Sequence, residues 1–102
     1  MNYELVYASE AQIEAKEVFE YYEMEKAGLG EEFMIELDRV FGQIKNNPKI
    51  FQKVKGDIRR GLLKKFPYGV FYKVLDEELF DARTVLIAGI YHQRSNPSRW
   101  PE

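Results

Sequence analysis

The residues best suited to chemistry lie in the second half of the chain. Between Lys49 and Lys73 stand eight cations and a single acid, Asp57. Arg59 and Arg60 can each grip a carboxylate or a phosphate through two parallel hydrogen bonds, whereas Lys64 and Lys65 act as point charges. His92 is the only histidine, and its imidazole is the one side chain here that ordinarily titrates near neutral pH. Arg94 follows it closely, and Arg99 stands next to Trp100, the sole tryptophan. An indole beside a guanidinium can stack on a base or on the arginine itself. Two chemistries are therefore on offer: an anion-binding surface built on the cations, and general acid–base work at His92. Each has a plainer counterpart. Lysines protect exposed sheet edges from aggregation, a lone histidine can be structural, and a terminal tryptophan can pin a tail to the core. With no cysteine and no second histidine, and no ligand spacing among the acids, neither a metal site nor a cofactor is expected. Gly28-Leu29-Gly30 follows a helical pattern rather than a strand, so it is not a phosphate loop.

Charge is segregated along the chain. Residues 1–48 carry 4 Lys/Arg against 11 Asp/Glu, a balance of −7, and residues 49–102 carry 11 against 6, a balance of +5. The net charge of −2 hides this asymmetry, which speaks of partners rather than of fold and favours an anion-binding role for the basic half. At 102 residues the chain reads as one domain, 1–102, able to bury about two-thirds of its unfolded surface in a two-layer core. A composition of 45% apolar and 31% charged residues is that of a folded domain. Met1-Asn2-Tyr3-Glu4 has neither the basic nor the apolar part of a signal peptide, and no apolar run reaches membrane-spanning length. The absence of cysteine fits a reducing compartment. Together these predict a cytoplasmic protein with no membrane partner.

The elements that must position the cations follow from periodicity. Tyr3, Leu5 and Tyr7 alternate with polar neighbours as a short strand. Ser9 and Gln12 have capping-box spacing and predict a helix start. Ala11, Ala15, Val18, Phe19 and Tyr22 then share one helical face, with Glu14, Glu17, Glu20 and Glu23 toward water. Ala27-Gly28-Leu29-Gly30 breaks this helix. A second carries Phe33, Leu37, Val40, Phe41 and Ile44 as its buried stripe, and Asn46-Asn47-Pro48 stops it. The segment from Lys49 to Gly56 reads as a loop. Strands are predicted from Ile58 to Phe66, Val70 to Leu75 and Thr84 to His92, with turns at Pro67-Tyr68-Gly69 and Asp76-Glu77-Glu78. Tyr68, at a turn, is expected to be the most exposed of the tyrosines. On an extended strand Arg60, Leu62 and Lys64 face one way and Arg59, Leu63 and Lys65 the other. The segment from Ser95 to Trp100 reads as a turn or a single helical turn. The fold class is α+β: a two-layer βααβββ domain with a helical hairpin packed on a small, largely antiparallel four-stranded sheet.

Several short motifs run through the chain in order: Tyr21-Tyr22-Glu23, Gly28-Leu29-Gly30-Glu31-Glu32-Phe33, Asn47-Pro48, Arg59-Arg60, Phe66-Pro67-Tyr68-Gly69-Val70-Phe71-Tyr72, and His92-Gln93-Arg94-Ser95-Asn96-Pro97 with Trp100. Together they resemble the RelE/ParE superfamily of bacterial type II toxins, nearest its ParE side, over almost the whole chain. The resemblance implies a toxin neutralised by a small, partly disordered cognate antitoxin that folds on binding, with a homodimer or a toxin–antitoxin heterotetramer as the assemblies it suggests. It also implies one of two mechanisms. RelE-like members cut messenger RNA in the ribosomal A site, using the RNA's own 2′-hydroxyl. ParE-like members inhibit DNA gyrase by binding.

In-line attack by a 2′-hydroxyl needs a base, cations for the phosphorane charge and an acid for the leaving oxygen. The resemblance puts a key nuclease arginine near the position of Gly69 or Val70, and a tyrosine at Trp100; neither is present. Arg60, Lys64 and Arg94 remain as candidate phosphate-binding cations and His92 as candidate acid–base, so the nuclease set is incomplete. The favoured expectation is gyrase inhibition by binding, with Arg59, Arg60, Lys64, Lys65, Tyr68, Arg94, Arg99 and Trp100 facing the target or the antitoxin. The alternatives are a ribosome-dependent endoribonuclease, and a non-toxic binding module of the same fold. The basic surface is also where an acidic, disordered antitoxin is expected to bind.

Overall fold

The two helices form where the apolar spacing places them. In a computed structural model that describes residues 3–75 and 83–101, α1 (Ser9–Glu25) and α2 (Leu29–Asn46) make an antiparallel hairpin. Ala11 on α1 and Phe33, Leu37, Val40 and Ile44 on α2 are buried, with Ala15, Val18, Phe19, Tyr22 and Phe41 packed at the margin. The predicted capping box does not form. Ala8, not Ser9, is the N-cap, and the Gln12 side chain instead donates to the Tyr7 carbonyl at 3.2 Å. Two of the glutamates expected to face water are also recruited inward. Glu14 accepts a 3.0 Å hydrogen bond from the Ile90 amide, and Glu23 accepts from both Gly28 and Gly30 at 2.9 Å. Backbone donors at a sheet end and at the start of α2 would otherwise lack partners. No helix among the described residues is long and apolar enough to cross a membrane.

The strands are β1 (Glu4–Tyr7), β2 (Lys53–Lys55), β3 (Ile58–Leu62), β4 (Tyr68–Val74) and β5 (Thr84–His92), in spatial order β1-β5-β4-β3-β2. Only the β1–β5 pair is parallel. Among the described residues the sheet thus has five strands rather than four. β2 falls in the segment expected to be a loop, because three residues with one apolar side chain are too short a run for alternation to mark a strand, and its pairing with β3 is irregular. The next hairpin also differs. β3 stops at Leu62 and β4 starts at Tyr68, so the turn covers residues 63–67 rather than Pro67–Gly69. Leu63 and Phe66 fold back into the core from this loop, and that burial outweighs extending the strand. The predicted turn at Asp76-Glu77-Glu78 lies outside the described residues. The tail forms a 3-10 turn at Pro97–Arg99.

One irregularity decides which residues face where. Phe71 lies opposite Gly89, but Tyr72 lies opposite Ile87, leaving Ala88 as an extra residue in β5. Before this bulge Val85 and Ile87 point to the helices; after it Ile90 does, and Gly89 and Tyr91 are turned to the other side. Strict alternation would have kept Ile87, Gly89 and Tyr91 together. Among the buried apolar residues of the described chain, Ile58 and Phe71 alone stand outside the main core. The sheet face away from the helices therefore has a small core of its own.

Candidate functional site

On that helix-free face a file of rings crosses the sheet. Tyr91 meets Phe71 edge-on at 5.2 Å, and Phe71 meets Trp100 at 5.0 Å. The Arg60 guanidinium lies 5.4 Å from the Trp100 ring centroid, a cation–π contact. Two glycines make this packing feasible. A Cβ at Gly89 would stand 2.4 Å from the Tyr91 ring, and one at Gly69 would stand 3.1 Å from Cγ of Arg60. The tail is strapped over the face by Lys55, whose Nζ donates to the carbonyls of Pro97 at 3.2 Å and Trp100 at 3.5 Å. Trp100 donates its indole N–H to Ser95 Oγ at 2.9 Å. Trp100 is thus both the anchor of the tail and the stacking partner of an arginine. Arg99 beside it is exposed.

His92 is on the opposite side. Its ring packs edge-on against Tyr68 at 5.3 Å, and Tyr68 in turn meets Tyr22 and Phe33 of the helical hairpin. His92 Nδ1 accepts the Arg94 amide at 3.1 Å, which leaves Nε2 to carry the proton of the neutral ring. Lys64, Lys65 and Arg94 are exposed near this end of the sheet, where Gln93 N–H bonds the Pro67 carbonyl at 2.8 Å and so joins the β3–β4 loop to the turn after β5. Tyr68 is half-buried; Tyr21, at 57% exposure, is the open tyrosine of this region.

The candidate residues accordingly divide into three sets. Lys64, Lys65, Tyr68, His92 and Arg94 gather at one end of the sheet. Arg60 and Trp100, with Arg99 alongside, belong to the helix-free face. Arg59 stands apart from both. It pairs with Tyr72 in register, and its guanidinium donates to the Phe51 carbonyl at 2.7 Å. Tyr72, fully buried, donates its hydroxyl to the Pro48 carbonyl at 2.6 Å, and burial pushes its pKa up to about 12. Arg59 and Tyr72 together hold the stretch between α2 and β2.

Glu36 of α2 fixes the basic loop. Oε1 accepts the Lys64 amide at 2.9 Å, and the same carboxylate takes two bonds from Arg39, at 3.1 and 3.2 Å. The Arg39 hydrogen bonds, with the Lys64 amide next, hold this carboxyl down to about 2. The lysine side chains are left free of it. Among the described residues the ion pairs are Arg39–Glu36 and Lys53–Asp57, so Arg60, Lys64, Lys65 and Arg94 meet no acid there.

A different surface lies between the helices. An apolar groove of about 440 Å³ has Ile87 and Ile90 of β5 as its floor and Ala15, Phe19, Met34 and Phe41 among its walls. Tyr7 at its mouth packs edge-on against Phe41 at 5.3 Å.

Solved structures with this arrangement are at hand. A chain of the chromosomal ParDE TA system from P. aeruginosa superposes with a TM-score of 0.63 over 88% of this chain and 95% of that one, at 12% identity. A chain of the toxin–antitoxin complex RelBE2 from Mycobacterium tuberculosis gives 0.60 over 90% and 99%, at 14% identity. This chain adopts the RelE/ParE fold. No family model matches the sequence, and no curated protein is detectably similar to it, so the likeness is one of architecture.

Within the RelE/ParE fold seen here, sequence reasoning missed Glu36, Gly69, Gly89 and the Tyr91–Phe71–Trp100 file. Glycines inside strands mark places where a side chain or another backbone comes close, and Gly69 and Gly89 carried that signal. Glu36 carried none, since its partner amide is twenty-eight residues away.

Proposed function

We propose that this chain is the toxin of a type II toxin–antitoxin pair, and that it acts by binding its target, DNA gyrase in the ParE-like form of the mechanism, rather than by cutting RNA. The observation that carries this reading is that Arg60 is separated from the other nuclease candidates, His92, Lys64 and Arg94, so that the set does not converge on one phosphate. His92 packs toward the helices against Tyr68, while Arg60 lies on the other face beneath Trp100. A phosphodiester cannot present its 2′-hydroxyl to a base on one side of a sheet and its phosphoryl oxygens to a cation on the other, because in-line attack needs both within contact distance of one phosphorus. Trp100 adds only an indole N–H, which does not exchange protons near neutral pH, and that N–H is given to Ser95.

What remains is a set of cations with no acid partner among the described residues, suited to recognition. Lys64, Lys65 and Arg94 form an exposed group at one end, with Tyr21 and Tyr68 as aromatic neighbours. The apolar groove between the helices suits an ordered segment of a small antitoxin, whose burial there offsets the entropy of folding on binding. The acidic helices and the basic sheet offer such a partner two surfaces of opposite sign. The reading is tested by adding purified protein to a gyrase supercoiling reaction. Inhibition relieved by the cognate antitoxin is the expected result; unaffected supercoiling at micromolar protein would count decisively against gyrase as the target.

A further inference from the structure

The helix-free face contains a hollow of about 300 Å³ at its β2 edge, lined by Ile50, Phe51, Gln52, Val54, Arg60 and Leu62. Ile50 and Leu62 are 46% and 41% exposed, so apolar side chains stand open to water beside a guanidinium. Arg60 is already ordered, by Trp100 at 5.4 Å and by the bare backbone of Gly69 against its Cγ and Cδ. Holding the side chain in place lowers the entropy cost of binding to it. Its planar fork has no acid partner among the described residues, while the neighbouring Asp57 is engaged by Lys53 at 3.3 Å.

We propose that this hollow is a binding site for an acidic–apolar peptide segment, with one carboxylate on the Arg60 guanidinium and an adjacent leucine-like side chain over Leu62 and Ile50. Charge complementarity selects the carboxylate: the guanidinium meets no acid among the described residues, and the surrounding stretch from Lys49 to Lys73 has eight cations and one acid. The open aliphatic lining selects a peptide over a nucleic acid, whose sugar–phosphate chain has nothing to bury there. For the identity of the partner, an antitoxin segment, the inference rests on the function proposed above; the binding itself stands on the site alone.

Trp100 is the only tryptophan and touches Arg60, so its emission reports occupancy directly. The experiment titrates the full chain with an acetylated, amidated octapeptide alternating leucine and aspartate, and with its leucine–asparagine counterpart. A saturable change in Trp100 fluorescence with the aspartate peptide is expected, with binding about tenfold weaker for the asparagine peptide. Arg60→Gln should lower affinity about tenfold, Arg60→Lys should recover it only in part because the fork is lost, and Leu62→Asp should abolish binding. Thermal melts of each variant establish that it is folded, and calorimetry on Trp100→Phe checks binding without the fluorophore. Equal binding of both peptides, an unchanged affinity in folded Arg60→Gln, or displacement of the peptide by oligothymidylate at equal concentration would overturn the proposal. A chain that arrests growth but does not bind the aspartate peptide would overturn this inference and leave the toxin reading standing. A chain that binds the peptide but leaves growth normal would uphold the site and overturn the toxin reading.

Discussion

Removing the charge of Glu36 should loosen the basic loop in a way that depends on pH. Glu36 is mostly buried, with 13% of its side chain exposed, and receives two bonds from Arg39 and one from the Lys64 amide. Its carboxyl is held down from the ordinary 4.5 to about 2. At about 1.4 kcal/mol per pH unit that displacement caps the contribution of the charge at about 3.5 kcal/mol. Partial exposure of the pair, with a third of the Arg39 side chain open, brings the expected figure to about 1–2 kcal/mol. The folded state holds the proton more weakly than the unfolded state. The contribution is therefore complete above pH 4.5 and fades as pH falls toward 2. Glu36→Gln keeps the shape and one acceptor for Lys64 but loses the charge opposite Arg39. In urea melts at pH 7 it should be less stable by about 1–2 kcal/mol, or about 5–12 °C in thermal midpoint for a chain of this size. At pH 2.5 most of the difference should vanish. An equal deficit at both pH values would refute the reasoning, because it would mean that shape rather than ionisation holds the loop.

Other substitutions probe the remaining supports. Gly89→Ala should cost about 1–3 kcal/mol in chemical unfolding and shift Trp100 emission, since a Cβ would stand 2.4 Å from the Tyr91 ring; an unaltered spectrum would mean the ring file does not depend on that glycine. Tyr72→Phe leaves the Pro48 carbonyl without its 2.6 Å donor and should lose about 1–3 kcal/mol at neutral pH by thermal melt. Because the Tyr72 hydroxyl ionises only near pH 12 when folded, against 10 when unfolded, wild-type stability should fall between those pH values and Tyr72→Phe should show less of that fall. Arg59→Ala should lower stability by about 1–2 kcal/mol through loss of its bond to Phe51, yet leave antitoxin affinity in calorimetry within about twofold; a large loss of affinity would place Arg59 in the interface instead.

The helical hairpin was legible in the sequence because ten apolar residues repeat at helical spacing and two strong breakers, Gly28 and Pro48, bound the second helix. β4 and β5 were legible because their apolar runs are long; β3, with Ile58 and Leu62 as its large apolar residues, was placed but its end was not. β2 was not, since its sequence Lys53-Val54-Lys55 holds a single apolar residue and owes its extension to pairing with β3. The hairpin turn moved because Leu63 and Phe66 reach the core from a loop, a tertiary effect invisible to local pattern. The site was half legible. Strand parity alone separates Arg59 from Arg60, but which of the two faces water depends on where the helices pack. The bulge at Ala88 was the decisive hidden feature: it sends Gly89 and Tyr91 to the face opposite Ile87, and so builds the platform that Trp100 and Arg60 complete. Nothing in the local run Ile87-Ala88-Gly89-Ile90-Tyr91 fixes the position of that extra residue.

The central claim is that the chain arrests cells by binding rather than by cleavage, with His92 outside the working machinery. Inducible expression of the wild-type chain and of His92→Ala in a bacterial host, with pulse labelling of DNA and protein synthesis, tests it most directly. The account predicts an early, selective stop in DNA synthesis that is the same for both chains. A selective stop in protein synthesis that disappears in His92→Ala would contradict it and restore the ribonuclease reading.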